Sequence, residues 1–208
     1  MDSFQLRLFQ SEVALQCRFV LFGFEQYQQI DAEVDAAHAR VSERERVAPP
    51  FERGKVWREG QKDLPDRRTT DARRWLLLQT IVVSAANLSK LLWGTGRNKD
   101  EAERREAERK PLRDSVGVHE DSCLRSRHLR NDFEHFDERI ECRFSDPDRR
   151  RGFVGRNIGG GPGNVEPFGH YNPETGDLTF WMHTVNVCQI VEEAERILPR
   201  AEAESLKS

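Results

Sequence analysis

Apolar residues at steps of three and four along the first forty residues are the feature that most constrains the fold. They recur from Val13 to Val41 with almost no interruption. Because a helix has 3.6 residues per turn, this spacing predicts one long amphipathic helix from about Phe9 to Arg46. The Ala-Pro-Pro sequence at 48–50 ends it, since proline cannot continue a helix. The fold is therefore expected to be built on long helices.

A second apolar segment, residues 75–93, is long enough to span a membrane. It carries a lysine and two amide side chains, however, and such groups are costly at bilayer depth. We therefore interpret it as the central helix of a bundle, which is also apolar nearly all round. Asp71 or Thr70 can cap its start, and the Gly-Thr-Gly sequence at 94–96 ends it. Residues 49–70 are predicted to form a long loop.

The rest of the chain predicts shorter elements around a third long helix. Residues 98–114 have the composition of an exposed, partly helical connector, and a helix is predicted from about Glu120 to Cys142. The basic, Gly-rich residues 145–164 break regular structure, and residues 168–181 predict a β-hairpin. Apolar residues from Val187 to Leu198 mark a C-terminal helix, after which the chain frays.

These elements predict an all-α fold. It is an up-and-down helical bundle, with a small β-hairpin and a Gly-rich loop inserted at 145–184 before the C-terminal helix. The length of 208 residues suits a single domain over 1–208.

Charge and cysteine content limit the classes of function. The chain has 33 basic and 36 acidic side chains, so any contact with nucleic acid must be local rather than a general coating of a duplex. Its four cysteines form no C-x-x-C pair, which predicts free buried thiols in a reducing cytosol. The first residues lack a basic region followed by an apolar run, so no secretory signal is expected and a cytoplasmic location is predicted.

Functional groups are concentrated on the third helix, in the stretch LRNDFEHFDERIE at 129–141. On a helical wheel its apolar residues fall within an arc of about 60°, which predicts a narrow buried stripe. The polar side chains of an adjacent arc of about 140° are Arg127, Arg130, Asn131, Glu134, His135 and Glu138. An ordinary solvated face with i,i+4 pairs, such as Arg130 with Glu134, is one interpretation. The other is catalytic, because an arginine, an amide and a histidine on one face meet the requirements of metal-free phosphoryl chemistry.

The sequence RNDFEH, Arg130 to His135, resembles the R-x(4–6)-H signature of the HEPN superfamily, whose members are helical bundles that form dimers. Many of them are endoribonucleases of toxin–antitoxin, abortive-infection and CRISPR systems. The resemblance implies that Arg130 and His135 are the catalytic pair and that Asn131 orients them. It also implies attack of an RNA 2′-hydroxyl on the adjacent phosphate, giving a 2′,3′-cyclic phosphate, with no metal and no cofactor.

The same resemblance implies the partners: RNA as substrate, a second copy of the chain in a homodimer, an antitoxin protein, and no membrane. The carboxylates of Glu134 and Glu138 either hold neighbouring arginines such as Arg127 in place or mark a domain that has lost catalysis. The second possibility is a non-catalytic HEPN-like module that binds RNA, a nucleotide or a protein. A structural helical protein with a solvated Arg/His face is the third.

Two further groups of residues are candidate sites. Arg150, Arg151 and Arg156 of the Gly-rich segment can steer RNA toward a nearby cleft, or simply belong to a solvated loop. That segment lacks the G-K-[ST] sequence of a phosphate-binding P-loop. The histidines, cysteines and glutamates of residues 119–138 match no zinc spacing, so no metal is expected.

Overall fold

The fold is mainly helical, as predicted. A computed structural model describes residues 1–126, 138, 141, 145, 154–158, 167–180 and 183–207, with the backbone alone at 154–157, 167 and 168. The α-helices whose bounds lie within these residues are α1 (Ser3–Val47), α2 (Arg53–Gly60), α3 (Arg67–Trp93), α4 (Lys99–Glu108), α5 (Lys110–Val116) and α6 (Val187–Ser205). Short 3₁₀ helices lie at Gln61–Asp63 and Cys123–Arg125.

The chain divides into two compact units, of which the first comprises Met1–Leu21 and Thr80–Ser208. Its core is apolar and draws on α1, α3, α5 and α6, whose fully buried side chains include Val13, Cys17, Leu88, Leu92, Leu112, Ala194 and Ile197. The periodic apolar residues of the sequence therefore face inward, as an amphipathic helix requires.

The second unit comprises Phe22–Gln79. Its buried side chains include Tyr27, Ile30, Ala37, Val41, Trp75 and Leu78. The guanidinium of Arg74 donates to Asp31 at 2.7 Å and ties α3 to α1 within this unit. A Cβ on Gly60 would lie 2.6 Å from a methyl group of Val41, so α2 packs closely on α1 there.

The prediction of a long loop over 49–70 is wrong. It contains α2 and a 3₁₀ helix, and α3 begins at Arg67 rather than at Thr70 or Asp71. The carboxylate of Asp66 accepts a hydrogen bond from the backbone N–H of Thr69 at 2.8 Å, which satisfies one of the free donors at the start of the helix. Charged residues with no apolar stripe gave no periodic signal for α2.

The exposed connector predicted over 98–114 is only partly correct. Asn98 caps α4 by accepting from the backbone N–H of Glu101 at 2.9 Å. α5, however, buries Leu112, Arg113 and Val116, so this part belongs to the core. The third long helix does not begin at Glu120, because residues up to Ser126 form turns and the Cys123–Arg125 3₁₀ helix. The remainder of that predicted helix lies outside the described residues, apart from residues 138 and 141, which are helical.

The predicted β-hairpin is confirmed: β2 (Pro167–Asn172) pairs antiparallel with β3 (Asp177–Phe180). The sheet is larger than predicted. β4 (His183–Asn186) pairs antiparallel with β3, and β1 (Val154–Ile158) pairs parallel with β2, giving the order β1-β2-β3-β4. The prediction that 145–164 breaks regular structure is thus wrong for β1. The strand β1 forms by pairing with β2, which begins nine residues later, and its own residues show no apolar alternation that would indicate a strand.

Three further expectations have mixed outcomes. The helix α6 does not fray after Leu198 but continues past Pro199 to Ser205, because Ala201 is fully buried and packing holds the last turns.

Cys17 is buried as expected, whereas Cys123 is exposed; burial raises the pKa of the Cys17 thiol to about 12. More than half of the apolar window of α3 is buried, which is the pattern of a core helix in a soluble protein.

The turn between β2 and β3 is tied to the start of α6. Gly176 in this turn has a φ of 74°, the left-handed conformation that side chains disfavour. The side chain of Asn186 donates to the carbonyl of Thr175 at 2.8 Å and accepts from the backbone N–H of Gln189 at 3.1 Å. One asparagine therefore closes the hairpin turn and caps α6.

We predict that Gly176→Ala lowers the free energy of unfolding by about 2 kcal/mol, because of the positive φ. The new Cβ would also lie 2.7 Å from the Cys188 sulfur. The matched control is Gly54→Ala in α2, where no atom lies within 4 Å of the added Cβ and stability should be unchanged or slightly higher. Urea unfolding measures both. Equal effects of the two substitutions would contradict the role of Gly176.

Candidate functional site

Most of the side chains predicted to form the site lie outside the described residues: Arg127, Arg130, Asn131, Glu134, His135, Arg150 and Arg151. Two lie within them. Glu138 is helical and its side chain is exposed. Arg156 lies in β1 opposite Gly169 of β2, and only its backbone is described. The described part of the candidate site is therefore the chain that leads into Arg127.

A buried arginine, Arg113, fixes the chain segment that leads into Arg127. The side chain of Arg113 is only 4% exposed, and its Nη1 donates to the carbonyl of Leu92 at 2.7 Å and to that of Glu106 at 3.0 Å. These carbonyls belong to the last turns of α3 and α4, where helices lack some of their backbone donors. The Glu106 carbonyl also accepts from the backbone N–H of Arg109 at 3.3 Å. Arg113 therefore holds the ends of two helices together.

The other nitrogens of Arg113 bind Glu120. Nε lies 3.0 Å and Nη2 2.9 Å from Glu120 Oε1, and the indole N–H of Trp93 donates to Oε2 at 3.4 Å. The guanidinium also lies 5.7 Å from the centre of the Trp93 ring. A planar guanidinium can make all these contacts at once, whereas the compact ammonium of lysine cannot.

A second arginine extends the network to the 3₁₀ helix. Arg125 donates to the carboxylate of Glu106 at 2.6 Å and to the backbone carbonyl of Glu120 at 3.2 Å. We call Arg113, Glu120, Arg125 and Glu106 the Arg113 cluster. It fixes residues 120–125 against the ends of α3 and α4.

The same stretch is also bound to α6. Ser122 donates to Glu193 at 2.7 Å, and the Cys123 thiol donates to the backbone carbonyl of Gln189 at 3.5 Å. Leu124 is buried. The chain is thus held on two sides immediately before the residues that carry the HEPN-like motif.

The carboxylates of this region are stabilised in their charged form. Desolvation acts to raise the pKa of Glu120, but hydrogen bonds from Arg113 and Trp93 and the nearby positive charges outweigh it, so the pKa lies below its ordinary value. The pKa of Glu193 is lowered in the same way by Arg196 and Ser122, against desolvation. These groups act as permanent anions that hold arginines, so they are unsuited to proton transfer near neutral pH.

The described residues around Ser126 form core rather than a substrate pocket. The cavity there measures about 20 Å³, the space of about one water molecule, and its lining includes Val82, Leu124, Val185 and Ile190. Although Cys123 is exposed as a residue, partial desolvation of its sulfur and the charge of Glu193 raise the pKa of the thiol to about 11, so it is not an activated nucleophile. In the part of the chain that the structure describes, no three His, Cys, Asp or Glu side chains are grouped so as to hold a metal.

Sequence reasoning missed Arg113 and Glu120. Arg113 lies in the segment 98–114, which its composition predicts to be an exposed connector. Leu112 and Val116, four residues apart, were a signal that α5 has a buried side. A charged residue between them would still have been assigned to the surface, since arginine is rarely buried unless it is paired.

Comparison with protein-family models, curated proteins and solved structures finds no match to this chain.

We predict that Arg113→Leu lowers the free energy of unfolding by about 2–4 kcal/mol, because the buried Leu92 carbonyl loses its donor and Glu120 loses its cation. The Glu106 carbonyl keeps its bond from the backbone N–H of Arg109. Arg113→Lys should fall between this variant and the wild type. The control is Arg104→Leu on α4, an exposed arginine 3.8 Å from Glu108, with an expected effect of at most about 0.5 kcal/mol. Urea unfolding decides, and an Arg113→Leu variant as stable as the control would refute this role.

The stabilisation by Glu120 should depend on pH. Its pKa is lowered in the folded protein, so its contribution is fully present above the ordinary glutamate value of 4.5 and is lost as pH falls below it. The difference in unfolding free energy between wild type and Glu120→Gln should therefore be largest near neutral pH and shrink under acid conditions. Glu103→Gln, at an exposed carboxylate 3.7 Å from Lys99, serves as control. A difference that grows on acidification would be inconsistent with this account.

Proposed function

We propose that the protein is a metal-independent endoribonuclease of HEPN type, active in the cytoplasm as a toxin or defence protein and held in check by an antitoxin protein. The single observation that carries the proposal is the sequence Arg130-Asn131-Asp-Phe-Glu-His135. It puts a guanidinium, an amide and an imidazole on the polar side of one predicted helix. The mainly helical fold supports it, because the resemblance implies a helical bundle.

In the proposed mechanism, His135 accepts the proton of an RNA 2′-hydroxyl or protonates the leaving 5′-oxygen, since an imidazole titrates near neutral pH. The 2′-oxygen attacks the adjacent phosphorus, and the bond to the 5′-oxygen breaks. The products are a 2′,3′-cyclic phosphate and a 5′-hydroxyl. Arg130 binds the phosphate oxygens and stays charged while negative charge builds up on them. Asn131 orients these groups.

One copy supplies a single Arg130 and a single His135. A homodimer with a two-fold axis, with the polar faces of two such helices opposed, would bring two of each to one scissile phosphate. Arg127, Glu134 and Glu138 would hold the catalytic arginines in place. Arg150, Arg151 and Arg156 would steer the RNA electrostatically.

The Arg113 cluster has a defined part in this proposal. It binds residues 120–125 to α3 and α4, while Ser122 binds them to α6, so the motif would have a fixed starting point two residues before Arg127. A catalytic pair must be held to a fraction of an ångström, which requires such support from rigid elements.

The test is incubation of the purified chain with RNA in the presence of EDTA. We expect cleavage to survive chelation, to yield 2′,3′-cyclic phosphate ends, and to fall by about 10²–10⁴-fold in Arg130→Ala and in His135→Ala. Matched controls are Arg104→Ala and His38→Ala, whose side chains are exposed on α4 and α1. RNA carrying a 2′-deoxy group at the cleaved position should resist.

The enzyme proposal fails if wild type and variants leave RNA equally intact, or if EDTA abolishes cleavage. Binding of RNA without cleavage, lost in Arg130→Ala, would instead favour the non-catalytic module.

A further inference from the structure

An apolar stripe lies exposed on the first half of α1. Phe4, Leu8, Leu15 and Phe19 fall within an arc of about 60° on the helical wheel. They are exposed by 62%, 56%, 38% and 43%, respectively. The opposite side of the same helix carries the fully buried Val13, Cys17 and Val20. α1 therefore has two apolar faces, and the described residues of its own unit cover one of them.

The spacing along the stripe is that of a helix that pairs with another helix. Phe4, Leu8 and Leu15 are separated by four and then seven residues, the intervals of a coiled-coil seam. Ser11 occupies the remaining position and is small enough to be accommodated there. Leu8 also borders a cleft of about 480 Å³ together with Phe9 and Leu91, so the apolar surface continues beside the stripe.

Charges on the two edges of the stripe complement each other. Arg7 lies on one edge, with no ion pair to any residue that the structure describes, and Glu12 lies on the other edge, held by a hydrogen bond from Gln16 at 2.8 Å. They are five residues apart. In two parallel helices in register, this separation places an edge charge of one helix beside the opposite edge charge of the other.

This pattern distinguishes the possible occupants. An antiparallel copy would set Arg7 and Arg18 against the same basic edge of its partner, and Arg18 is already paired with Glu202 at 2.6 Å. A membrane-surface helix would carry an excess of basic residues beside its apolar face, whereas these edges carry both signs. In a parallel pair, Arg7 of each copy lies beside Glu12 of the other, so two ion pairs form, one on each side of the two-fold axis.

The exposed apolar area of the stripe is also large enough for a dimer interface. At about 150–200 Å² per large side chain, the exposed fractions of the stripe with Met1 amount to roughly 400 Å² of surface. A standard interface buries about 800 Å² per partner, of which rather more than half is apolar. The stripe would supply most of that apolar share, and its polar edges together with the neighbouring cleft would supply the rest.

We propose that α1 pairs with α1 of a second copy of this chain, parallel and in register, through Phe4, Leu8, Leu15 and Phe19. This pairing would supply the dimer that the proposed ribonuclease needs. It rests on the proposed function only for what the dimer does, because the exposed residues of α1 support the pairing independently. Across the axis, Arg7 of each copy faces Glu12 of the other.

Sedimentation of the full chain over micromolar concentrations tests the pairing. We expect a dimer whose Kd rises by about 10–100-fold for each of Leu8→Lys and Leu15→Lys, because each loses one buried leucine from both copies. Leu76→Lys, at a leucine of α3 that is 64% exposed, is the matched control and should leave the dimer intact. Unchanged thermal unfolding of the variants at low concentration would show that they are folded. A monomer at all concentrations, or a dimer insensitive to Leu8→Lys and Leu15→Lys, overturns the proposal.

Two variants test the parallel register. Leu8→Cys should form a disulfide-linked dimer on oxidation and Leu76→Cys should not. Both are made in a Cys123→Ser, Cys142→Ser background, which removes the thiol that is exposed among the described residues and the one that lies outside them. Arg7→Glu and Glu12→Arg should each weaken the dimer by about two- to fivefold, and the double variant should restore it. Absence of the Leu8→Cys cross-link, or no restoration in the double variant, overturns the register.

The outcomes remain separable from those of the ribonuclease test. A dimer disrupted by Leu8→Lys in a protein that never cleaves RNA supports the pairing and sinks only the ribonuclease. Cleavage by a protein whose dimer is indifferent to Leu8→Lys sinks only the pairing.

Discussion

The contacts of the buried Arg113 guanidinium are the constraint on which the rest of the larger unit depends. A helix end lacks some of its backbone donors, and the ends of α3 and α4 both present carbonyls to the same interior. Arg113 supplies donors to Leu92 and Glu106 and still reaches Glu120. Its own charge is tolerable there because Glu120 stays ionised. Sequence-distant helices thus become one packed body.

The hydrogen-bond network of Arg113 extends along the chain toward the residues of the proposed catalytic motif. Glu120 and Arg125 carry the network from Arg113 into the 3₁₀ helix, and Ser122 and Leu124 bind the same turn to α6. Catalysis by an Arg/His pair needs fixed geometry far more than it needs bulk stability. The Arg113 cluster therefore lies just before the motif begins, where the proposed HEPN-type site would need support.

The sequence predicted those elements whose signal is local. The periodicity of α1, the Gly after α3 and the turn residues between β2 and β3 each lie within a few residues of the structure they specify. Prediction failed where an element depends on pairing or packing with another element: β1 pairs with β2, and the last turns of α6 persist beyond Pro199 because Ala201 packs in the core. It also failed for α2, whose charged residues show no periodicity.

The same division applies to function. The identities of Arg130, Asn131 and His135, and hence the chemistry proposed for them, follow from the sequence alone, because a short motif on one predicted helix face needs no tertiary information. The apolar residues of α1 were equally visible in the sequence, but periodicity counts apolar positions without saying which are covered. Only the tertiary structure decided that Val13 and Cys17 are buried while Leu8 and Leu15 face outward, and that Arg113 lies inside, since burial depends on which surfaces other elements occupy.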